Sequence, residues 1–134
     1  MGEIRDFFEI KKLNPAEGVL KVIHDQKGRA VFLNSLDAFH TVAVLEFLPN
    51  GMPRGNHYHH QKKEMLYIME GKLKAFFWLP SRPALEEVIL TEGDLVILEP
   101  KLAHAYQALE RTIGIEIGAC AYDPQDTIPD PRVG

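Results

Sequence analysis

G-M-P-R-G-N-H-Y-H-H-Q-K-K-E-M-L-Y-I-M-E-G, residues 51–71, decides how this chain is read. His57 and His59 stand at i and i+2, and side chains of an extended strand alternate between faces, so both imidazoles point to one side. Glu64 opens the apolar run M-L-Y-I-M at 65–69, which reads as a strand. Residues 60–63 between them are polar and short enough for a hairpin connection, which would bring a carboxylate beside two imidazoles. Two neutral imidazoles and one carboxylate suit a divalent first-row ion such as Zn, Mn, Fe, Ni or Cu, with coordination positions left open. A fourth candidate ligand, His104, ends the stretch G-D-L-V-I-L-E-P-K-L-A-H at 93–104 and lies on the strand-like run A-H-A-Y-Q-A-L.

Residue by residue, 51–71 resembles the first motif of the cupin superfamily: Gly51, five residues, H-x-H at 57–59, four residues, Glu64, six residues, Gly71. The second cupin motif is met less fully. Gly93, Pro100 and His104 stand at its glycine, proline region and histidine, whereas Lys101 replaces a usual glycine and Ala108 a usual asparagine. The lysine bears on the tightness of a turn and not on the ligand. Together the motifs span 51–108. The resemblance implies a single jelly-roll β-barrel holding one divalent ion (Zn, Mn, Ni or Fe) through His57, His59, Glu64 and His104. Inward histidines can also satisfy one another without an ion, but a buried carboxylate without a cation is costly, so Glu64 is the strongest argument for a metal.

A narrower likeness rests on R-G-N-H-Y-H-H at 54–60, E-P-K-L-A-H at 99–104 and A-Y-D-P-Q-D-T-I-P-D at 121–130. These look like the sugar-modifying cupins of surface-polysaccharide synthesis: the cupin domain of capsular assembly enzymes and, more distantly, nucleotide-sugar ketoisomerases and epimerases. In the ketoisomerases an R-G-x-H-x-H stretch works without needing a metal; in the capsular enzymes the equivalent histidines and glutamate hold zinc. Because this chain keeps the glutamate, it is more similar to the metal-holding kind.

The strand pattern stands independently of the resemblance. The runs 19–25, 30–33, 41–48, 65–69, 72–78, 85–90, 95–98, 103–109 and 112–118 are short, apolar and separated by turn residues, with no convincing helix. They indicate an all-β sandwich or barrel. An arm at 1–18, carrying Ile4, Phe7, Phe8 and Ile10 and turning at Asn14 and Pro15, is expected to be extended and to cover a sheet, either its own or a partner's. A barrel follows at 19–122, and a proline-rich extended or irregular tail at 123–134. Phe76 and Trp78 share a face with Lys72 and Lys74; sheet packing is their simplest role, and contact with another subunit the alternative. His24 and His40 read as structural.

With 134 residues, 46% of them hydrophobic, the chain can bury one respectable core. A net charge of −4 offers no basic stripe for nucleic acid. The lone Cys120 cannot form an internal disulfide and suits a reducing compartment. Without an apolar leader or an 18-residue apolar run, the expectation is a cytoplasmic protein with no membrane partner. A homodimer is expected from the apolar arm.

For function, the leading expectation is an isomerase- or epimerase-like enzyme acting on a small polar, carbohydrate-like ligand, with a Lewis-acid ion polarising a carbonyl. Tyr106 or His60 is the candidate general base, and Arg54 and Gln107 are candidate ligand contacts. A non-catalytic small-molecule-binding cupin and, if the ion is iron, a dioxygenase are the alternatives; fold alone does not choose among them.

Overall fold

The computed structural model describes residues 2–12, 20–33, 38–120 and 123–134. The expected turn at Asn14 and Pro15, most of the connection at 34–39, and Tyr122 lie outside the described residues. Twelve strands run through the rest: β1 (Phe8–Lys11), β2 (Leu20–Asp25), β3 (Gly28–Leu33), β4 (Thr41–Phe47), β5 (Arg54–Tyr58), β6 (Glu64–Glu70), β7 (Lys72–Trp78), β8 (Leu85–Thr91), β9 (Leu95–Leu98), β10 (Ala103–Ala108), β11 (Thr112–Gly118) and β12 (Ile128–Pro129). Two five-stranded antiparallel sheets, in the orders β1-β9-β6-β11-β4 and β12-β5-β10-β7-β8, face each other as a jelly roll, and β2–β3 forms a separate hairpin. No helix among the described residues is long and apolar enough to cross a membrane.

Period-two alternation decides what each strand buries. Leu66 and Ile68 of β6, Leu73, Ala75 and Phe77 of β7, Val96 and Leu98 of β9 and Tyr106 of β10 point between the sheets and make the main core. Their neighbours, Met65 and Tyr67 of β6 with Leu95 and Ile117, face outward, where Val31 and Leu33 of the β2–β3 hairpin pack on them.

Two connections differ from hairpins: the 60–63 stretch, and Glu70–Gly71, whose residues also read as a hairpin turn into the run at 72–78. β5 and β6 lie in different sheets, so residues 59–63 cross the barrel end instead of turning back within one sheet. Gly71 likewise carries the chain from β6 in one sheet to β7 in the other. The polar, short 60–63 stretch suggested a hairpin, but a link of that length also spans the ~10 Å between facing sheets, and Gly71, at φ 100, makes the second crossing alone.

The N-terminal arm folds onto its own barrel. Its first turn (Ile4–Phe7) leads into β1, which pairs with β9, and Phe8 stacks on Phe77 with centroids 4.4 Å apart. Phe76 and Trp78 are buried as well, with Tyr58 and the tail residue Val133 against their cluster. The tail is pinned by polar contacts. Trp78 Nε1 donates to Asp130 (2.9 Å), and the Asn56 side chain donates to the Val133 carbonyl (2.9 Å) and accepts from the Arg132 and Val133 amides (3.0 Å each). Asn56 sits at φ 59, a left-handed conformation that asparagine tolerates better than most residues.

Asn56→Ala therefore removes three hydrogen bonds and leaves alanine in a left-handed conformation, a loss of about 2–4 kcal/mol. Urea unfolding measures this, and emission from Trp78, the single tryptophan, shifts to the red as the tail lifts.

Candidate metal centre

The four expected ligands converge at the seam between the sheets. His57 on β5 lies opposite His104 on β10 in the strand register, with ring centroids 4.8 Å apart. His59 follows just beyond β5, its ring 5.0 Å from that of His57. Glu64 enters from the other sheet as the first residue of β6. One ligand atom from each of the four lies within 4.8 Å of every other. With bonds of about 2.0–2.1 Å, two ligands of one ion stand no more than ~4.2 Å apart, so small side-chain adjustments close the set.

Backbone devices make the convergence possible. The β5–β10 register shifts between His104 and Ala105, opposite Gly55. Gly55 has φ 110, and a Cβ there would meet the His104 carbonyl at 2.7 Å, so only glycine fits. Lys101, at the position where the second cupin motif has glycine, keeps the left-handed turn with φ 76, and its N–H donates to the His59 carbonyl (2.6 Å). The turn is thus preserved at a conformational cost of about 1–2 kcal/mol.

The donor chemistry fits a cation. His59 Nδ1 donates to the Asp126 carbonyl (2.9 Å); a carbonyl can only accept, so in the neutral ring Nε2 carries the lone pair. That buried Nε2 has no aligned hydrogen-bond partner and lies against Glu64 Oε1. Two acceptors in contact need a proton or a metal between them. His104 repeats the pattern, with Nδ1 3.2 Å from the Leu102 carbonyl. A carbonyl that fixes the metal-binding tautomer of a histidine is a usual supporting feature of metal sites.

Burial, reinforced by the neighbouring His104 and His59, lowers the His57 pKa to about 4, and burial lowers His104 as well. Both rings are therefore neutral and ready to coordinate at pH 7. Burial works against ionisation of Glu64, yet the His59 contact and the charges of His104 and Lys62 hold its carboxyl below the usual carboxylate range. His59 moves up: the Glu64 contact outweighs the effect of burial.

A cavity of about 280 Å³ opens onto the ligands and is also lined by Arg54, Lys62, Tyr106, Glu116 and Thr127. Tyr106 and Arg54 are thus brought to the site, with Arg54 exposed, its guanidinium 5.3 Å over the Phe47 ring. Burial, with Glu64 and Glu116 adding to it, pushes the Tyr106 hydroxyl well above 10, so at neutral pH it is a proton donor and not the expected base.

His60 and Gln107 are not brought there. Gln107 directly follows the inward Tyr106 on β10, so its side chain leaves on the opposite face, and His60 lies beyond β5 in the connection. His60 is exposed, edge-on to Tyr58 at 5.4 Å, in a separate surface hollow with Lys101. Gln107 lies beside Lys74 of β7 and lines no part of the metal cavity.

Three contributors escaped the sequence reading. Glu116 lies within the otherwise uncharged strand T-I-G-I-E-I-G, a signal that was available; burial and the Glu64 charge raise it to about 7. Lys62 stands among the polar residues of the 60–63 connection. Asp126 supplies the carbonyl for His59, and its carboxylate accepts from the amides of His60 (2.9 Å), Gln61 (3.3 Å) and Lys62 (3.2 Å). Nothing local in the sequence points to that role.

The depressed His57 has a consequence for the metal-stripped protein. Between pH 6.5 and about 4 the unfolded chain takes up a proton that the folded chain does not, so stability falls with acidification through that window. His57→Gln should blunt this fall, read as thermal midpoints at pH 7 and pH 4.5 with chelator present.

No curated protein matches this sequence. Among solved structures, the sugar 3,4-ketoisomerase QdtA of Thermoanaerobacterium thermosaccharolyticum, in complex with TDP, is 15% identical; the match covers 92% of this chain and 88% of that one, with a TM-score of 0.73. The capsular polysaccharide assembling protein CapF of Staphylococcus aureus is 23% identical over 84% of this chain and 33% of its own length, with a TM-score of 0.65. The epimerase RmlC of Legionella pneumophila, in complex with dTDP-4-keto-L-rhamnose, is 17% identical over 81% of this chain and 68% of that one, also at 0.65. At these identities the likeness establishes the fold. A family profile described as Cupin matches residues 21–131, and with both cupin motifs brought to one centre, the chain belongs to the cupin family.

Proposed function

We propose that this cupin is a metal-dependent isomerase or epimerase of a small, polar, carbohydrate-like ligand of the nucleotide-sugar type. The observation that supports the reading is the pairing of two unlike features in one cavity: a His/Glu set that could hold a divalent ion, and a buried, protonated Tyr106 beside it. The similar structures that hold TDP or a TDP-sugar support the ligand class.

His57, His59, Glu64 and His104 are the residues that would hold the ion. A divalent ion bound there supplies Lewis acidity that polarises a carbonyl. Tyr106 donates a hydrogen bond or a proton to a ligand oxygen. Glu116, which lines the same cavity, would accept a proton from carbon next to that carbonyl. Arg54 at the mouth is suited to a phosphate or carboxylate. His60 and Gln107 have no part, since both face away.

Purified protein should bind about one equivalent of Zn, Mn, Ni or Fe, and His59→Ala should lose both metal and turnover. Tyr106→Phe should keep the metal and lower the rate about 10²-fold, the size of a lost proton-transfer group. The assay is NMR of isomerised product across nucleotide sugars and sugar phosphates. Metal uptake with neither product nor ligand-induced thermal shift would overturn the enzymatic reading in favour of the non-catalytic one.

We also propose a homodimer, on grounds other than the arm. On β4, an edge strand of its sheet, Val42 and Val44 point outward with 56% and 73% of their surface exposed. They stand beside Ile117 and Ile115 of β11. Light scattering at tens of micromolar should give a dimer mass, and Val44→Glu should give a monomer.

A further inference from the structure

We infer that Lys62 is a built-in cation that competes with the metal for Glu64 and so sets how tightly the centre holds its ion. The inference deepens the metal reading above and rests on it. The Lys62 side chain is only 11% exposed, and its Nζ stands 3.8 Å from Glu64 Oε1 and 3.8 Å from Glu116 Oε1. An ammonium group placed between two carboxylates neutralises them in the absence of an ion. When a divalent ion arrives, the same group becomes a nearby like charge, and the repulsion weakens binding.

The placement is built into the fold at both ends of the side chain. At its root, the Lys62 amide donates to the Asp126 carboxylate (3.2 Å), which fixes where the residue leaves the 60–63 connection. Along its stem, Cε lies over Gly118 of β11, where a Cβ would come within 2.4 Å of it. Gly118 is the residue opposite Glu64 in the β6–β11 register, so the missing side chain opens a slot that leads the lysine to the ligand carboxylate. Nothing else near that Cβ position is tight: the next neighbours are Lys62 Nζ at 3.3 Å and the Cys120 carbonyl at 3.6 Å. An alanine at 118 would therefore displace the flexible lysine and leave the backbone alone.

Two substitutions thus remove the same cation by different routes. Lys62→Met deletes the charge, whereas Gly118→Ala keeps the lysine and pushes it out of its slot. Chelator-stripped full-length protein is titrated with Zn²⁺ and Mn²⁺ in competition with a chromogenic chelator. Lys62→Met should tighten binding about tenfold or more. Gly118→Ala should tighten it by a smaller factor, and the double variant should gain nothing over Lys62→Met, since both act through one side chain. The metal-induced rise in thermal midpoint should grow in step, a change that a purely structural lysine would not produce.

Unchanged or weaker binding in Lys62→Met overturns the inference; should that variant fail to fold, Gly118→Ala decides it by the same criterion. Wild-type protein that takes up no ion while Lys62→Met does would uphold the competing lysine and overturn the metal-dependent function. Failure of both to bind would overturn both.

Discussion

A carboxylate at the meeting line of two β-sheets, shut away from water, must have positive charge beside it. Glu64 imposes that demand, and much of the surrounding structure answers it. His59 is held against it by the Asp126 carbonyl, Lys62 reaches it over Gly118, and His57 and His104 complete a shell in which the only anion ligating the ion would be Glu64 itself. The apolar core beneath, with Leu66, Ile68 and Phe77, excludes water and strengthens every charge interaction above it.

The barrel achieves this with parts that are distant in sequence. β5 and β10 present His57 and His104 from one sheet, His59 follows directly after β5, and β6 presents the glutamate from the other sheet, so neither sheet alone has a complete site. The short 59–63 connection bridges them and carries two of the charged or basic groups, His59 and Lys62. Its geometry depends on the tail, because the Asp126 carboxylate gathers three successive amides of that connection. Asn56 and Trp78 hold the last residues of the tail against β5 and β7. The tail is therefore part of the site's support even though it lines the cavity only at Thr127.

Much of this was legible in the sequence, and the limits have physical causes. The short, turn-bounded strand runs carry the all-β architecture, the H-x-H spacing places two imidazoles on one face, and the resemblance to the cupin motifs implied the set of four that the fold brings together. Which strands pair does not follow, because a short link serves equally as a hairpin or as a crossing between sheets; β5–β6, joined by residues 59–63, and β6–β7, joined by Gly71 alone, are both crossings. His60 and Gln107 were drawn to the site by nearness in sequence; alternation along β10 sends Gln107 to the other face, and the connection after β5 turns the His60 ring against Tyr58. Glu116 was readable as the one charge in an apolar strand whose inward positions are otherwise Gly114 and Gly118. Asp126 was not, since its partners are more than sixty residues away and meet it only in the folded barrel.

The carbonyl of Asp126 also has a place in time. All four ligands, from His57 to His104, leave the ribosome before residue 126 does. A nascent chain at that stage can form most of the barrel, for domains begin to fold during synthesis. It still lacks the acceptor that holds the proton of His59 on Nδ1 and turns Nε2 toward Glu64. A half-made chain thus lacks the support that orients His59, and the cluster takes its final geometry only once the tail has closed over the connection.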